Sequence, residues 1–195
     1  WTGIVCLAGG YVELEGHVLR DLAMTPGMLQ RLAPILEQSD EVIRFEGLNG
    51  VVRMSADAPD APGYARTVGD AITQLQHYSA YKILMSTSLA SRIAQDQAFE
   101  PLLCFNELEL EVTEISPREC TKREGIQSVL DALDPHHGTV YGIGDASNDV
   151  SLMNAVDVGI AMGNAPDFLK EKADYVTDSI DHDGVVTALE HFGLI

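Results

Sequence analysis

The sequence is poor in basic residues, and this scarcity restricts the partners that the protein can have. Its 195 residues include 12 lysines and arginines against 30 aspartates and glutamates, which gives a formal net charge of −18. A surface this acidic repels the phosphate backbone of DNA and RNA, so we expect no nucleic-acid partner. A small anionic substrate would need a local positive site, formed by a metal ion, a lysine or a helix N-terminus.

Long apolar runs and paired cysteines are also absent from the sequence. No run approaches the roughly 18 apolar residues that a membrane span needs, and no basic segment precedes the short apolar stretch at the N-terminus, as a signal peptide would require. Cys6, Cys104 and Cys120 are odd in number, far apart and without a CxxC pair. This pattern favours buried or free thiols over a zinc site or disulfides. We therefore expect a cytoplasmic protein that does not bind membranes.

The first part of the chain mixes strand and helix patterns. Residues 3–7 are strand-like, residues 11–24 alternate around Gly16 as in a hairpin, and an apolar helical face begins at Pro26. Further strands are predicted at 41–47, 50–56 and 81–85, further helices at 68–76 and 88–98, and a loop at 55–65. The strict alternation of residues 107–115 predicts one half-buried strand, with apolar residues on one face and glutamates on the other.

From Thr121 onward, short strands alternate with helices. Thr121 can cap a helix with one apolar face. Strands are predicted at 139–144, 158–163 and 174–178, and helices at 148–156, 166–173 and 184–192. Such alternation at short spacing is typical of βαβ units, so the sequence predicts an α/β fold with a parallel sheet.

Polar side chains cluster directly after the strand at 139–144. Asp145, Asn148 and Asp149 follow Gly144, at the carboxyl end of a strand where parallel sheets bind their ligands. Oxygen ligands without nearby histidine or cysteine favour Mg²⁺, whose natural partner is a phosphate ester. The same residues also suit a helix cap, with Asn148 and Asp149 accepting backbone N–H groups. The spacing alone leaves both interpretations open.

Lys122 is the second candidate because it lies in the first turn of its helix, where a positive charge is unfavourable. A bound anion, shared with the N–H groups of the helix, would explain a cation at this position. A solvated lysine that points away from the protein is the alternative interpretation.

These residues lie in segments that resemble a known family. The segment ISPRECTKREGIQSVLDAL at 115–133 and the segment at 142–186, which contains GDASND, GIAMGNA and DGV, closely resemble the C-terminal third of Cof-type phosphatases of the haloacid dehalogenase superfamily. The rest of the chain resembles the family more weakly, through its pattern. The resemblance implies a parallel-sheet α/β core at residues 1–20 and 113–195, incomplete in this sequence, with an inserted α/β cap at 21–112.

The resemblance also implies a mechanism and a role for each candidate residue. In this family an aspartate attacks the phosphate, water hydrolyses the resulting aspartyl-phosphate, and a second aspartate two residues on acts as general acid and base. Lys122 matches the lysine that steadies the nucleophile and the phosphoryl charge, and Asp145 matches a Mg²⁺ ligand. Asn148 matches the asparagine that contacts phosphate or a metal-bound water, and Asp149 the acid that orients the lysine and those waters.

The family's nucleophile lies in a DxDGT loop upstream of the region that matches, and no such loop appears in these 195 residues. A phosphate-binding serine or threonine belongs to the same missing stretch, and Ala8 stands where the family often has asparagine. Residues 181–185, DHDGV, have the DxDGT spacing, but the segment before them is too polar for a strand. A turn that opens the last helix explains them better than a permuted nucleophile at Asp181. His136 and His137 are interpreted as a loop rather than a metal site.

The sequence therefore predicts a Mg²⁺-dependent phosphatase that acts on small phosphorylated metabolites such as sugar phosphates. The present chain is expected to be a fragment without its nucleophilic aspartate, and so inactive alone. The alternative is a catalytically dead homologue that binds a metabolite or a partner protein.

Overall fold

The computed structural model describes residues 3–75, 79–108, 110–133 and 138–195, and the chain divides into two compact units. The first unit is Trp1–Thr121 and the second is Lys122–Ile195. This division does not test the predicted assignment of residues 1–20 and 113–195 to a core and of 21–112 to a cap, which stays a prediction. The loop interpretation of His136 and His137 lies outside the described residues.

A three-stranded antiparallel sheet begins the first unit. It consists of β1 (Gly3–Cys6), β2 (Tyr11–Leu14) and β3 (His17–Asp21) in that order. The β2–β3 turn passes through Glu15 and Gly16, which have φ angles of 50° and 80°. Gly16 adopts its positive φ without strain, and the antiparallel pairing of β2 with β3 confirms the hairpin predicted around Gly16.

A six-stranded sheet forms the larger part of the first unit. Its strands are β4 (Ile43–Gly47), β5 (Gly50–Met54), β6 (Tyr64–Ala65), β7 (Lys82–Ser86), β8 (Leu103–Glu107) and β9 (Val112–Pro117). Their order is β6-β5-β4-β7-β9-β8, and all neighbours are antiparallel except β5 and β6. Strands β6 and β8 were not predicted, and β6 lies at the end of the expected loop at 55–65.

The hydrophobic core of the first unit contains apolar residues of this sheet and of three helices. The helices are α1 (Pro26–Leu36), α2 (Val68–Gln74) and α3 (Thr87–Ala94). Thr25, Thr67 and Ser86 cap them by accepting backbone N–H groups. The fully buried residues include Leu32, Leu36, Ile43, Phe45, Ile83, Ile93 and Ile115. The apolar periodicity in the sequence predicted these helices, although α3 ends four residues before Ala98.

The prediction of a single strand over residues 107–115 is wrong. Strand β8 ends at Glu107, β9 begins at Val112, and the two pair as an antiparallel hairpin. Leu110 lies in the turn with φ 60° and is 93% exposed, while Glu109 lies outside the described residues. The alternation of leucine and glutamate continues through the turn, and no glycine, proline or asparagine marks the reversal.

The second unit is a small parallel α/β structure. It contains α4 (Lys122–Ala132), β10 (Tyr141–Gly144), α5 (Val150–Met153), β11 (Val158–Ala161), α6 (Asp167–Lys170), β12 (Tyr175–Val176) and α7 (Gly184–His191). The strands pair in parallel in the order β10-β11-β12, which confirms the predicted parallel sheet. Within the described ranges of both units, no helix has the length and apolar character needed to cross a membrane.

The three cysteines are free thiols, as the sequence predicted. Cys6 and Cys104 are half-buried, whereas Cys120 is 1% exposed and donates a hydrogen bond to the carbonyl oxygen of Leu22. Burial raises the pKa of the Cys120 thiol to about 11, so this thiol remains protonated near neutral pH.

Candidate active site

The second unit brings three of the four predicted site residues into direct contact. Lys122 is the first residue of α4, and Asn148 and Asp149 lie in the short 3-10 helix Ser147–Asp149 that precedes α5. The Nζ atom of Lys122 donates to the side-chain oxygen of Asn148 at 3.3 Å and forms a short ion pair with Oδ1 of Asp149. Asp145, the fourth residue, directly follows the carboxyl end of β10. The roles predicted for these residues remain predictions.

The carboxylate of Asp149 is the best-connected group of the cluster. Its Oδ2 accepts the backbone N–H of Asp145 at 2.9 Å and that of Ala146 at 3.1 Å, while its Oδ1 accepts from Lys122. Asp149 is 4% exposed. Burial would raise the pKa of this carboxyl, but the hydrogen bonds from Lys122 and from the two backbone N–H groups outweigh it and lower the pKa below its usual value.

Gly144 is necessary for this close approach. A Cβ atom at Gly144 would lie 2.6 Å from Cβ of Asp149 and 2.8 Å from its carboxyl carbon. The strand that delivers Asp145 can therefore lie against the Asp149 side chain only because position 144 lacks a side chain.

Asp149 has the geometry of a helix cap, one of the two interpretations that the sequence left open, and the metal-site interpretation stays a prediction. As in a helix cap, Asp149 accepts the N–H of Ala146, three residues before it. The same carboxylate neutralises Lys122, which explains a cation in the first turn of α4. Lys122 is thus paired within the protein, and 34% of its side chain remains exposed.

Lys122 and Asn148 both have N–H donors beyond those used in the contact with each other and with Asp149. An ammonium group has three donors, and Lys122 uses two of them within the described residues. Lysine can only donate, so the amide oxygen of Asn148 faces Lys122 and its NH₂ group is directed elsewhere. The third donor of Lys122 and the two of Asn148, for which the described part of the chain shows no acceptor, are candidates to bind the oxygens of an anion.

The metal-binding capacity of the described residues is small. No group of three or more histidine, cysteine, aspartate or glutamate side chains in the described ranges could hold a metal ion. Both oxygens of Asp149 accept hydrogen bonds, which leaves the exposed carboxylate of Asp145 as the candidate ligand. Mg²⁺ keeps several waters and needs one or two protein carboxylates beside substrate oxygens. The described residues therefore fit Mg²⁺ as one part of a site, in which Asp145 is the candidate ligand.

Residues 181–185 have the geometry of a turn. Asp181 lies in the short 3-10 helix Ile180–His182, and Asp183 adopts φ 52° before α7 begins at Gly184. A Cβ atom at Gly184 would lie 2.0 Å from the carbonyl oxygen of Asp178, so this position requires glycine. The DHDGV string thus serves as the turn that opens α7.

The sequence did not reveal the backbone donors of the site. The N–H groups of Asp145 and Ala146 hold Asp149, but alanine carries no side-chain signal. The three-residue spacing between Ala146 and Asp149 is that of a capping box, and this spacing could have indicated the hydrogen bond from the Ala146 N–H.

Comparisons with known proteins give a consistent result. The sequence profile of a family described as haloacid dehalogenase-like hydrolase matches residues 1–189. YkrA of Bacillus subtilis strain 168 is 30% identical over 202 residues, which cover 96% of this chain and 74% of YkrA. A phosphoglycolate phosphatase of Archaeoglobus fulgidus is 28% identical over 84% of this chain and 77% of its own length.

Solved structures show the same fold. The subclass IIB sugar phosphatase BT4131 of the haloacid dehalogenase superfamily matches 100% of this chain and 76% of its own length, with a TM-score of 0.78 and 19% identity. At this identity the likeness concerns the fold alone.

Proposed function

This chain belongs to the haloacid dehalogenase-like hydrolases, and from that premise we propose that it is part of a Mg²⁺-dependent phosphatase. Its substrates are small phosphomonoesters such as sugar phosphates. The observation that carries the proposal is the cluster of Lys122, Asn148 and Asp149 beside Asp145, at the carboxyl end of a parallel strand.

Each residue of the cluster has a distinct task in phosphoryl transfer. Lys122 and the NH₂ group of Asn148 direct N–H donors at the phosphoryl oxygens and neutralise their charge. Asp149 holds the Lys122 ammonium in place, and its two bonds to the backbone fix the loop that carries Asp145. Mg²⁺ bound at Asp145 would supply the remaining positive charge that a phosphate dianion requires.

The nucleophile is proposed to come from outside the 195 residues. Asp149 is unsuited to attack because both of its oxygens are held by Lys122 and by backbone N–H groups. Asp145 is the proposed metal ligand. On this reasoning the isolated chain has little or no phosphatase activity and binds Mg²⁺ weakly.

The test compares this chain with the protein expressed from the whole reading frame that contains it. We expect the latter to hydrolyse para-nitrophenyl phosphate with Mg²⁺, and the activity to fall by about 100-fold or more in Lys122→Met and in Asp145→Asn. Lys172→Met, which removes an exposed lysine of the same unit, is the matched control. Robust turnover by the 195-residue chain, lost in Asp145→Asn, would contradict the proposal that the nucleophile lies elsewhere. Asp181→Asn would then be the next variant.

A catalytically dead homologue that binds a metabolite or a partner protein is the second candidate. The observation that favours it is that both oxygens of Asp149 accept hydrogen bonds, so this carboxylate is not available as a nucleophile or a metal ligand. If the longer protein binds phosphate through Lys122 but shows no turnover with Mg²⁺, this second candidate replaces the first.

A further inference from the structure

A pocket of about 740 Å³ opens in the first unit between α1 and α2, beside the segment that joins β3 to α1. Buried and half-buried apolar side chains line it, among them Met24, Leu29, Ala33 and Ile72. Asp21 is the one carboxylate in its described lining. Pockets of this size, with an apolar wall and few polar groups, are typical of small-molecule sites. We call this space the α1–α2 pocket.

The α1–α2 pocket is open because both helices contribute small residues to its lining, Ala33 from α1 and Gly69 from α2. Apart from the backbone of its own helix and its chain neighbours, a Cβ atom at Gly69 would meet only Oγ1 of Thr67, at 3.8 Å. Gly69 lies inside a regular helix and does not have a positive φ. Neither backbone strain nor a close contact therefore requires glycine at this position, and its effect is to leave the pocket unfilled.

The carboxylate of Asp21 is oriented by the protein and still able to accept from a ligand. Its Oδ1 accepts the phenolic O–H of Tyr81 at 2.6 Å. Tyr81 is 1% exposed, and burial raises its pKa above the ordinary value, so the phenol stays a donor near neutral pH. Oδ2 of Asp21 takes no hydrogen bond from the residues that the structure describes, and the residue is exposed.

The charge of the lining selects against anions. The described lining contains no lysine, arginine or histidine, and the whole chain carries a net charge of −18. The N-terminus of α1 compensates little, because Pro26 has no N–H and the side chain of Thr25 already accepts the N–H of Met28. A phosphate ester therefore finds no counter-charge in this pocket, whereas a cation finds Asp21.

We propose that the α1–α2 pocket binds a small amphipathic amine, in which one primary ammonium group carries an aromatic or aliphatic body. The ammonium donates to Oδ2 of Asp21 in a charge-assisted hydrogen bond. The body packs against Leu29, Ala33 and Ile72 and removes their apolar surface from water. This site is independent of the function proposed for the Lys122 cluster, because its lining lacks the positive charge that a phosphomonoester requires.

The test is an NMR titration of the ¹⁵N-labelled 195-residue chain with 2-phenylethylamine at neutral pH. Salt at about 150 mM screens nonspecific attraction to the acidic surface. We expect saturable shifts at the amides of residues 21–33 and 68–72. The uncharged analogue 2-phenylethanol should bind about tenfold more weakly, and the anion 3-phenylpropionate should not bind.

Matched variants locate the binding. Asp21→Asn keeps an oxygen that can accept from Tyr81 but removes the negative charge, so it should bind 2-phenylethylamine about tenfold more weakly and 2-phenylethanol as the wild type does. Asp60→Asn changes an exposed carboxylate outside the lining and should bind both normally. Gly69→Leu fills the pocket and should abolish binding of both. Gly27→Leu adds the same side chain at an exposed position of α1 outside the lining and should not.

Three results would overturn the proposal. The first is the absence of saturable shifts at the pocket amides of the wild-type chain. The second is binding of 2-phenylethanol or 3-phenylpropionate as tightly as 2-phenylethylamine, and the third is normal binding of the amine by Asp21→Asn. The comparison of probes uses the wild-type chain alone, so it decides the question even where a variant does not fold.

Discussion

Replacing Asp149 by alanine tests whether its carboxylate holds the candidate active site together. The side chain is 4% exposed and accepts three hydrogen bonds, from Lys122 and from the N–H groups of Asp145 and Ala146. Asp149→Ala would leave two backbone donors without an acceptor and the Lys122 ammonium without its counterion.

The expected loss of stability follows from these contacts. An unsatisfied buried donor costs about 1–3 kcal/mol, and removal of one partner from a buried ion pair costs about 3–5 kcal/mol. Lys122 is one-third exposed and can turn to solvent, so its share is small. We expect Asp149→Ala to destabilise the second unit by about 3 kcal/mol. Asp149→Asn, which keeps one acceptor oxygen, should cost about half as much.

Native-state hydrogen exchange measures this loss at the atoms concerned. Protection of the Asp145 and Ala146 amides should fall by about 100-fold in Asp149→Ala, because their acceptor is gone. A double-mutant cycle with Lys122→Met and Asp149→Asn should give a coupling energy of at least about 1 kcal/mol. If protection of both amides is unchanged in Asp149→Ala, the proposed role of the carboxylate is refuted.

The pH dependence follows from the same carboxylate. The pKa of Asp149 is lower in the folded protein than its usual value of 3.8. Its stabilising contribution is therefore complete above the usual pKa and is lost as the pH falls through the folded-state pKa. The stability difference between the wild type and Asp149→Asn should be constant above about pH 5 and should narrow below pH 3.8.

Further predictions concern three other positions. Gly144→Ala should destabilise the second unit by about 2 kcal/mol or more in urea unfolding, because its Cβ would lie 2.6 Å from that of Asp149; a stability equal to the wild type would contradict the packing. Ser116 is 0% exposed and its hydroxyl has no partner in the described part of the chain. Ser116→Ala should therefore be neutral or stabilising by up to about 1 kcal/mol, and a clear loss of stability would show that a partner exists. Alkylation at pH 8, followed by mass spectrometry, should be slower at Cys120 than at Cys6, since burial raises the pKa of Cys120 to about 11; equal rates would refute this.

Local patterns in the sequence predicted much of the secondary structure. Apolar residues at helical spacing after Pro26 predicted α1, and alternation around Gly16 predicted the β2–β3 hairpin. Alternating strands and helices after Thr121 predicted the parallel sheet. These signals come from residues that are close together in the sequence, so they can be recognised without knowledge of the tertiary structure.

Two strand predictions were wrong because the local sequence pattern was ambiguous. The leucine–glutamate alternation is the same in a straight strand and in a hairpin, and only the pairing of β8 with β9 distinguishes the two. Strand β6 has two residues, too few to show a period. Its place in the sheet is set by hydrogen bonds of its backbone to β5.

The sequence by itself determined which residues belong to the candidate site, because the order of Lys122, Asp145, Asn148 and Asp149 is a property of the chain. Only the tertiary structure decided how they interact. The Lys122–Asp149 pair joins residues 27 positions apart, and it forms because glycine at 144 lets a strand lie against the Asp149 carboxylate. Contacts of this kind depend on pairing and close packing between distant segments, which no local pattern encodes.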